Sequence, residues 1–305
     1  MGVGLVSWTL GAWLLGGGVT SALAGQAVPP APPQAALFEA LATQAAPDDP
    51  FRALANPAGP ALLEGGRWGA AVTVRDGTVG DAASFVHTVG WAEGADGEGW
   101  ALWVSHGGRD ALVGSLPSSV TELGVGYGYA MSMGPDWALG VAGHYRRVRG
   151  EMPGSGRPRE DHYLGVDIGL ISALSDRVSA SARLDSLLEV RQVGVGGSAE
   201  QWAEARSPAL GVGIAYEANA YLVLEANALD LLDVSTGRTV RLETRLYPAA
   251  PVALRLGYES SSRGEGFLLG AGVEEPGKRW AVSYAFLGGP AYGGIHQIGL
   301  IAALR

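Results

Sequence analysis

The sequence predicts an all-β protein: a single transmembrane antiparallel β-barrel of about fourteen strands behind a short helical N-terminal segment. Three observations point there. From Arg67 onward the chain falls into runs of roughly ten residues with period-two alternation. Long and tight connections alternate between those runs. Each run has one continuously apolar face, and the other face is rich in Gly, Ala, Arg and Glu.

The elements follow in chain order. Residues 1–24 predict a signal peptide: "LVSWTLGAWLLGGGVTSALA" is apolar and ends in Ala22-Leu23-Ala24, a cleavage pattern, although no Lys or Arg precedes the apolar core. A membrane-anchoring helix is the alternative. Residues 25–66 read as a Pro/Ala-rich leader with a short helical segment. In it, "GQAVPPAPPQ" is flexible and "AALFEALATQAA" is helix-forming. "DDPFRALANPAG" predicts a short helix capped by Asp49, with Pro50 in its first turn and Asn56-Pro57 at its end.

Residues 67–305 predict the barrel. Strands are expected at 67–76, 82–92, 97–106, 120–133, 136–149, 160–173, 177–191, 208–217, 220–234, 238–248, 251–261, 264–274, 278–288 and 294–304. The lengths suit tilted strands crossing a bilayer; boundaries moved by several residues would make twelve or sixteen strands. "ELGVGYGYAMSM" shows the pattern, with Leu123, Val125, Tyr127, Tyr129, Met131 and Met133 on one face and Gly, Ala and Ser on the other. The longest loops are expected near 107–119, 150–159 and 192–207, after odd-numbered strands. Tight turns such as 134–135 and 249–250 follow even-numbered ones. Trp68, Trp91, Trp100, Trp137, Tyr145, Tyr163, Tyr216, Tyr247, Tyr258 and Trp280 lie near strand ends, where aromatic rings form interfacial girdles.

The charged faces then point inward. Arg183 and Asp185, Glu225 and Asn227, Arg241, Glu243 and Arg245, and Arg255 and Glu259 are the expected polar network of the lumen. Partial desolvation there makes unpaired charges costly, so Arg and Glu should pair. The network either braces one wall or guides the polar end of a ligand. A soluble periplasmic β-sandwich is the remote alternative, but a solvent face so poor in Lys (Lys278 alone) would be unusual.

Composition excludes several functions. A net charge of −9 argues against nucleic acid, and the absence of Cys removes disulfides and thiolate metal sites. The five His residues have no ligand spacing. "GVGYGYA" lies within a strand pattern rather than at a strand–helix turn, and no G-x-S-x-G elbow occurs. No enzyme, metal or cofactor is expected. "YRRVRGEMPGSGRPREDHY" is an Arg-rich loop that also carries Glu151, Glu160 and Asp161; it reads as flexible and exposed, or as a contact for anionic lipid headgroups.

Three stretches resemble outer-membrane barrels of the PorV/PorQ type, related in fold to the FadL-like long-chain fatty-acid transporter group. "ALANPAGPALLEGG" is similar to the motif before their first strand, here Asn56, Pro57, Ala58 and Gly59, with Pro60 where a Leu commonly follows. "ALRLGYESSSRGEGFLLGAGVE" resembles their late hairpin, and "WAVSYAFLGGPAYGGIHQIGLIAAL" their closing pair. The resemblance implies an outer-membrane barrel of fourteen strands with an N-terminal segment near or inside the lumen. It also implies either passive transport of hydrophobic or small amphipathic compounds, or a PorV-like structural or secretion role. The expected partners are outer-membrane lipids together with hydrophobic small molecules or envelope and secretion proteins.

Overall fold

The structure, a computed structural model, describes residues 56–76, 84–113, 116–151, 158–195, 198–199, 202–204, 208–232, 238–249, 251–261, 264–274, 280–289 and 293–303. The expected signal peptide, residues 25–55 of the expected leader and the start of its Asp49-capped helix lie outside the described residues; within 56–66 the structure has a 3₁₀ turn at Gly59–Leu62, and the first strand already begins at Gly65.

Fourteen antiparallel strands close a barrel. They are β1 (Gly65–Arg75), β2 (Ser84–Ala95), β3 (Glu98–Val113), β4 (Leu116–Ser132), β5 (Trp137–Glu151), β6 (Pro158–Ser175), β7 (Val178–Val195), β10 (Ala209–Asn219), β11 (Leu222–Leu229), β12 (Thr239–Ala249), β13 (Val252–Ser261), β14 (Gly264–Glu274), β15 (Trp280–Gly289) and β16 (Gly293–Ala303). The two-residue strands β8 (Ser198–Ala199) and β9 (Ala203–Glu204) pair only with the upper part of β7. Neighbours in sequence pair throughout. Closure comes from β1 on β16 and from β7 on β10.

The lower end carries the connections at 96–97, 133–136, 176–177, 220–221, 250–251 and 275–279; the upper end carries the others. Asp96 and Gly97, both with positive φ (54° and 81°), make the two-residue hairpin that a right-twisted ribbon favours. The loop expected at 107–119 is instead mostly strand: Arg109–Val113 and Leu116–Val120 continue the β3–β4 ladder up to the Val113–Leu116 pair. Likewise β7 runs on to Val195. The wall from β3 to β7 is therefore tall, with strands of 15 to 18 residues, whereas β10 to β16 have 8 to 11.

Alternation sets the two surfaces. Leu242, Leu256, Ile214 and Val141 are among many apolar side chains left exposed on the outer face. Trp91, Trp137, Tyr216 and Trp280 ring its lower margin, and Trp91 stacks on Trp100 at 5.8 Å. Phe85, Tyr145, Tyr258 and Phe267 stand toward the upper margin. Tyr163 does not join the girdle. It shares the parity of Asp161 and Asp167 on β6 and is buried on the inner side, because one strand residue fixes the facing of every other.

Candidate functional site

The lumen is the candidate site, and its lower part is filled by the chain's own backbone. Asn56 is fully buried. Its Nδ2 donates to the carbonyls of Leu170 on β6 (3.2 Å) and Ala182 on β7 (3.3 Å), while its Oδ1 accepts the Ala58 N–H at 3.0 Å. A 3₁₀ turn follows at Gly59–Leu62, closed by the Leu63 N–H on the Pro60 carbonyl at 3.2 Å. Gly65, at φ 82°, then turns the chain into β1. The segment thus crosses the barrel from the β6–β7 wall to β1, and we call it the plug.

The wall beneath the plug is made for it. Ala58 and Ala61 pack on Ala130, Ala138 and Ile171, and Leu63 packs on Ala92 and Ala101. A Cβ on Gly94 or Gly99 would strike the Pro60 carbonyl, one on Gly140 the Pro57 carbonyl, and one on Gly169 the Asn56 side chain. These glycines serve close backbone approach. Asn56, Pro57, Ala58 and Gly59, picked out in the sequence as a motif, all lie in this seat.

Above the plug, the tall wall carries a polar cluster that the sequence reading left out. His144 on β5 lies across Gly165, with Nδ1 3.2 Å from Asp167 and Nε2 3.7 Å from Glu189. Opposite Asp167 the β6–β7 register slips: Val166 faces Leu188 while Ile168 faces Leu184. Ser186, at φ 50°, sits in that bulge. Its N–H donates to Asp167 at 2.8 Å and its hydroxyl to Glu189 at 3.3 Å. Arg183 pairs with Asp185 and comes within 4.0 Å of Asp167, so these two expected network residues belong to the bulge. Higher still, Arg191 meets Asp161 at 2.6 Å and Arg146 lies 4.2 Å over the Tyr163 ring. The parity of Asp161, Tyr163 and Asp167 in "EDHYLGVDIGL" was the signal available.

The remaining network residues meet on the short wall. Arg241 faces Glu259 directly and donates from Nε at 2.8 Å. Elsewhere the register sets like charges opposite, Glu225 against Glu243 and Arg245 against Arg255, and the ion pairs run diagonally. Glu243 takes Arg255 at 2.7 and 3.0 Å and Arg245 at 3.3 Å, while Arg245 reaches Glu225 at 3.0 Å. Glu225, Glu243, Arg241 and Glu259 are each at most 5% exposed. Asn227 also faces inward and is buried, its carbonyl oxygen over Gly213. Charge-assisted bonds of this density hold side chains flat against the wall.

No protein-family model matches the chain, and no curated protein matches it. Solved structures share its fold. The Pseudomonas putida toluene transporter TodX superposes with a TM-score of 0.62 at 12% identity, over 85% of this chain and 94% of that one. A Pseudomonas aeruginosa FadL homologue gives 0.62 at 11% identity over 86% and 96%. The Ralstonia pickettii toluene transporter TbuX gives 0.59 at 13% over 87% and 96%. The fold is therefore FadL-like.

Proposed function

We propose that the chain is an outer-membrane barrel through which hydrophobic or small amphipathic compounds pass without energy input. The observation that carries this is the pairing of an apolar outer belt with a lumen plugged at its lower end by Asn56–Leu63. An exterior of that kind belongs in lipid, and a plugged lumen that continues above its plug admits solutes selectively rather than freely. Solved structures of this fold include toluene transporters, which supports the same class of cargo. In this reading residues 1–24 direct export, residues 25–66 lead into the barrel, no catalysis occurs and no cofactor is needed. The Arg/Glu network braces the short wall. The PorV-like secretion role has no comparable support.

The test is uptake by cells whose outer membrane excludes hydrophobic solutes. Cells making the chain should accumulate labelled toluene or a labelled fatty acid severalfold faster than cells with empty vector. A barrel that fractionates with outer membranes, migrates heat-modifiably, and yet raises the uptake of neither solute overturns the proposal.

A further inference from the structure

We propose that the outer face of β5 and β6, just above the aromatic girdle, is a docking surface for a phosphate-bearing glycolipid of the outer leaflet. The inference rests on the membrane-spanning reading above. On β5 the outward positions run Leu139, Val141, Gly143, Tyr145, Arg147 and Arg149. The face therefore passes from apolar, through one aromatic ring, to two guanidinium groups within a single strand, as a face does on leaving hydrocarbon for headgroups.

The ladder gives these arginines their neighbours. Arg147 faces His162 and Arg149 faces Glu160 on β6. Glu160 takes Arg147 at 2.5 Å and lies 3.6 Å from His162 Nε2, while the Tyr145 hydroxyl is 2.7 Å from His162 Nδ1. Tyr145, Arg147, Glu160 and His162 thus form one linked plate. Arg149 stands beside it, exposed and with no ion-pair partner among the described residues. Among the described residues, two guanidinium groups stand against one carboxylate, a net cation on the sheet. Phosphate complements it, since guanidinium groups bind its oxygens in parallel pairs.

The rest of the rim supplies a contrast. Where β1, β15 and β16 meet, Tyr284 and Asp76 flank His296 at 2.8 and 3.3 Å, the same tyrosine–histidine–carboxylate arrangement with no arginine in it. At the lower end the exposed charges include Asp96, Asp136, Asp176 and Glu217, with Arg177 the single exposed arginine there among the described residues. Arg238, just before β12, is also exposed at the upper margin, but the plate with two outward arginines lies on β5 and β6, at the margin where outer-leaflet headgroups would be.

Native mass spectrometry of the detergent-solubilised full chain tests this, with titration by a diphosphorylated glycolipid, its dephosphorylated form and phosphatidylglycerol. The diphosphorylated lipid should bind best. Arg149→Gln should weaken it about fivefold, and Arg147→Gln with Arg149→Gln about 25-fold, at the usual contribution per arginine near a charged lipid surface. Asp76→Asn should leave it unchanged. Arg149 is exposed and has no ion-pair partner among the described residues, so its variant should retain heat-modifiable migration. Binding that survives Arg149→Gln or dephosphorylation overturns the site, and equal binding of phosphatidylglycerol overturns its assignment to the glycolipid. A chain that needs no detergent to stay in solution sinks the barrel function itself. A detergent-dependent, heat-modifiable barrel indifferent to phosphate sinks only this inference.

Discussion

The two walls of the barrel fill the lumen by opposite means. From β2 to β6, near the lower end, inward positions are mostly Gly and Ala, with Ile171 on β6, and the backbone of Asn56–Leu63 lies on them. From β11 to β13 the described plug residues do not lie on the wall, and its inward positions include long Arg and Glu side chains that meet one another. Interiors are packed to near-constant density, so small residues on one wall leave room for a covering segment and large ones fill that room themselves. An inward face of glycine is thus a reserved seat rather than open space.

The largest expected effect lies on the short wall. Glu243→Leu leaves Arg255 and one side of Arg245 without their carboxylate, and breaking a buried ion pair from one side costs about 3–5 kcal/mol. The midpoint of urea unfolding in detergent reads it. Adding Arg255→Leu should recover part of the loss, because an apolar pair replaces a buried ionic one without leaving a bare charge. A single variant as stable as the parent would mean that the ladder fills the wall without bracing it. On the neighbouring outward position, Leu242→Arg should cost about 2–4 kcal/mol if it sits near the bilayer midplane, falling toward zero at the margins. Cysteines at 242 and 243 should separate cleanly, the first quenched by lipid-borne probes and the second reached by water-soluble reagents only through the lumen. Exchanged behaviour would place the register one residue off.

On the plug wall, Gly140→Val places a branched side chain against the Pro57 carbonyl, where no flexible atom can yield. Overpacking of this kind costs about 1–3 kcal/mol, and moving the plug relieves it more cheaply than bending β5. Single-channel conductance in planar bilayers should therefore rise severalfold while heat-modifiable migration persists. Unchanged conductance would show that the plug does not seal the lumen.

The contrast between walls was half legible in the sequence. Alternation alone puts Glu243 inside and Leu242 outside, and the run 264–274 coincides with β14, because each strand's facing is a local property. The glycine faces of β4 and β5 were legible as inward, but nothing local says which distant backbone will lie on them. Tyr163 lies near a strand end, as girdle aromatics do, but its parity with Asp161 turns it inward. The bulge at Ser186 was hidden inside a long run, where consecutive Leu187 and Leu188 were the only irregularity, and its lock depends on side chains from β5 and β6. The upper β3–β4 hairpin is hidden because Gly107, Gly108 and Pro117 are turn residues by composition, while the pairing that holds them in strand is non-local.

The smallest expected effect concerns what holds the plug in its seat. Asn56→Ala removes both donations, to Leu170 and Ala182, and leaves the Ala58 N–H buried without its acceptor. An orphaned buried donor costs about 1–3 kcal/mol, and the two lost carbonyl contacts add little because each carbonyl keeps a second lone pair. The loss should fall at the low end of that range, since the plug can lift slightly and admit water. Asn56→Asp separates the contributions. A carboxylate still accepts from Ala58 but faces the Leu170 and Ala182 carbonyls with no proton to donate, so at neutral pH it should be worse than alanine. Lowering the pH toward about 4 protonates it and restores a donor, so the variant should gain stability relative to the parent as pH falls. Urea midpoints at pH 7 and pH 4 give the comparison. If Asn56→Asp tracks Asn56→Ala at both pH values, the asparagine donates nothing and the plug is held by its glycine seat alone.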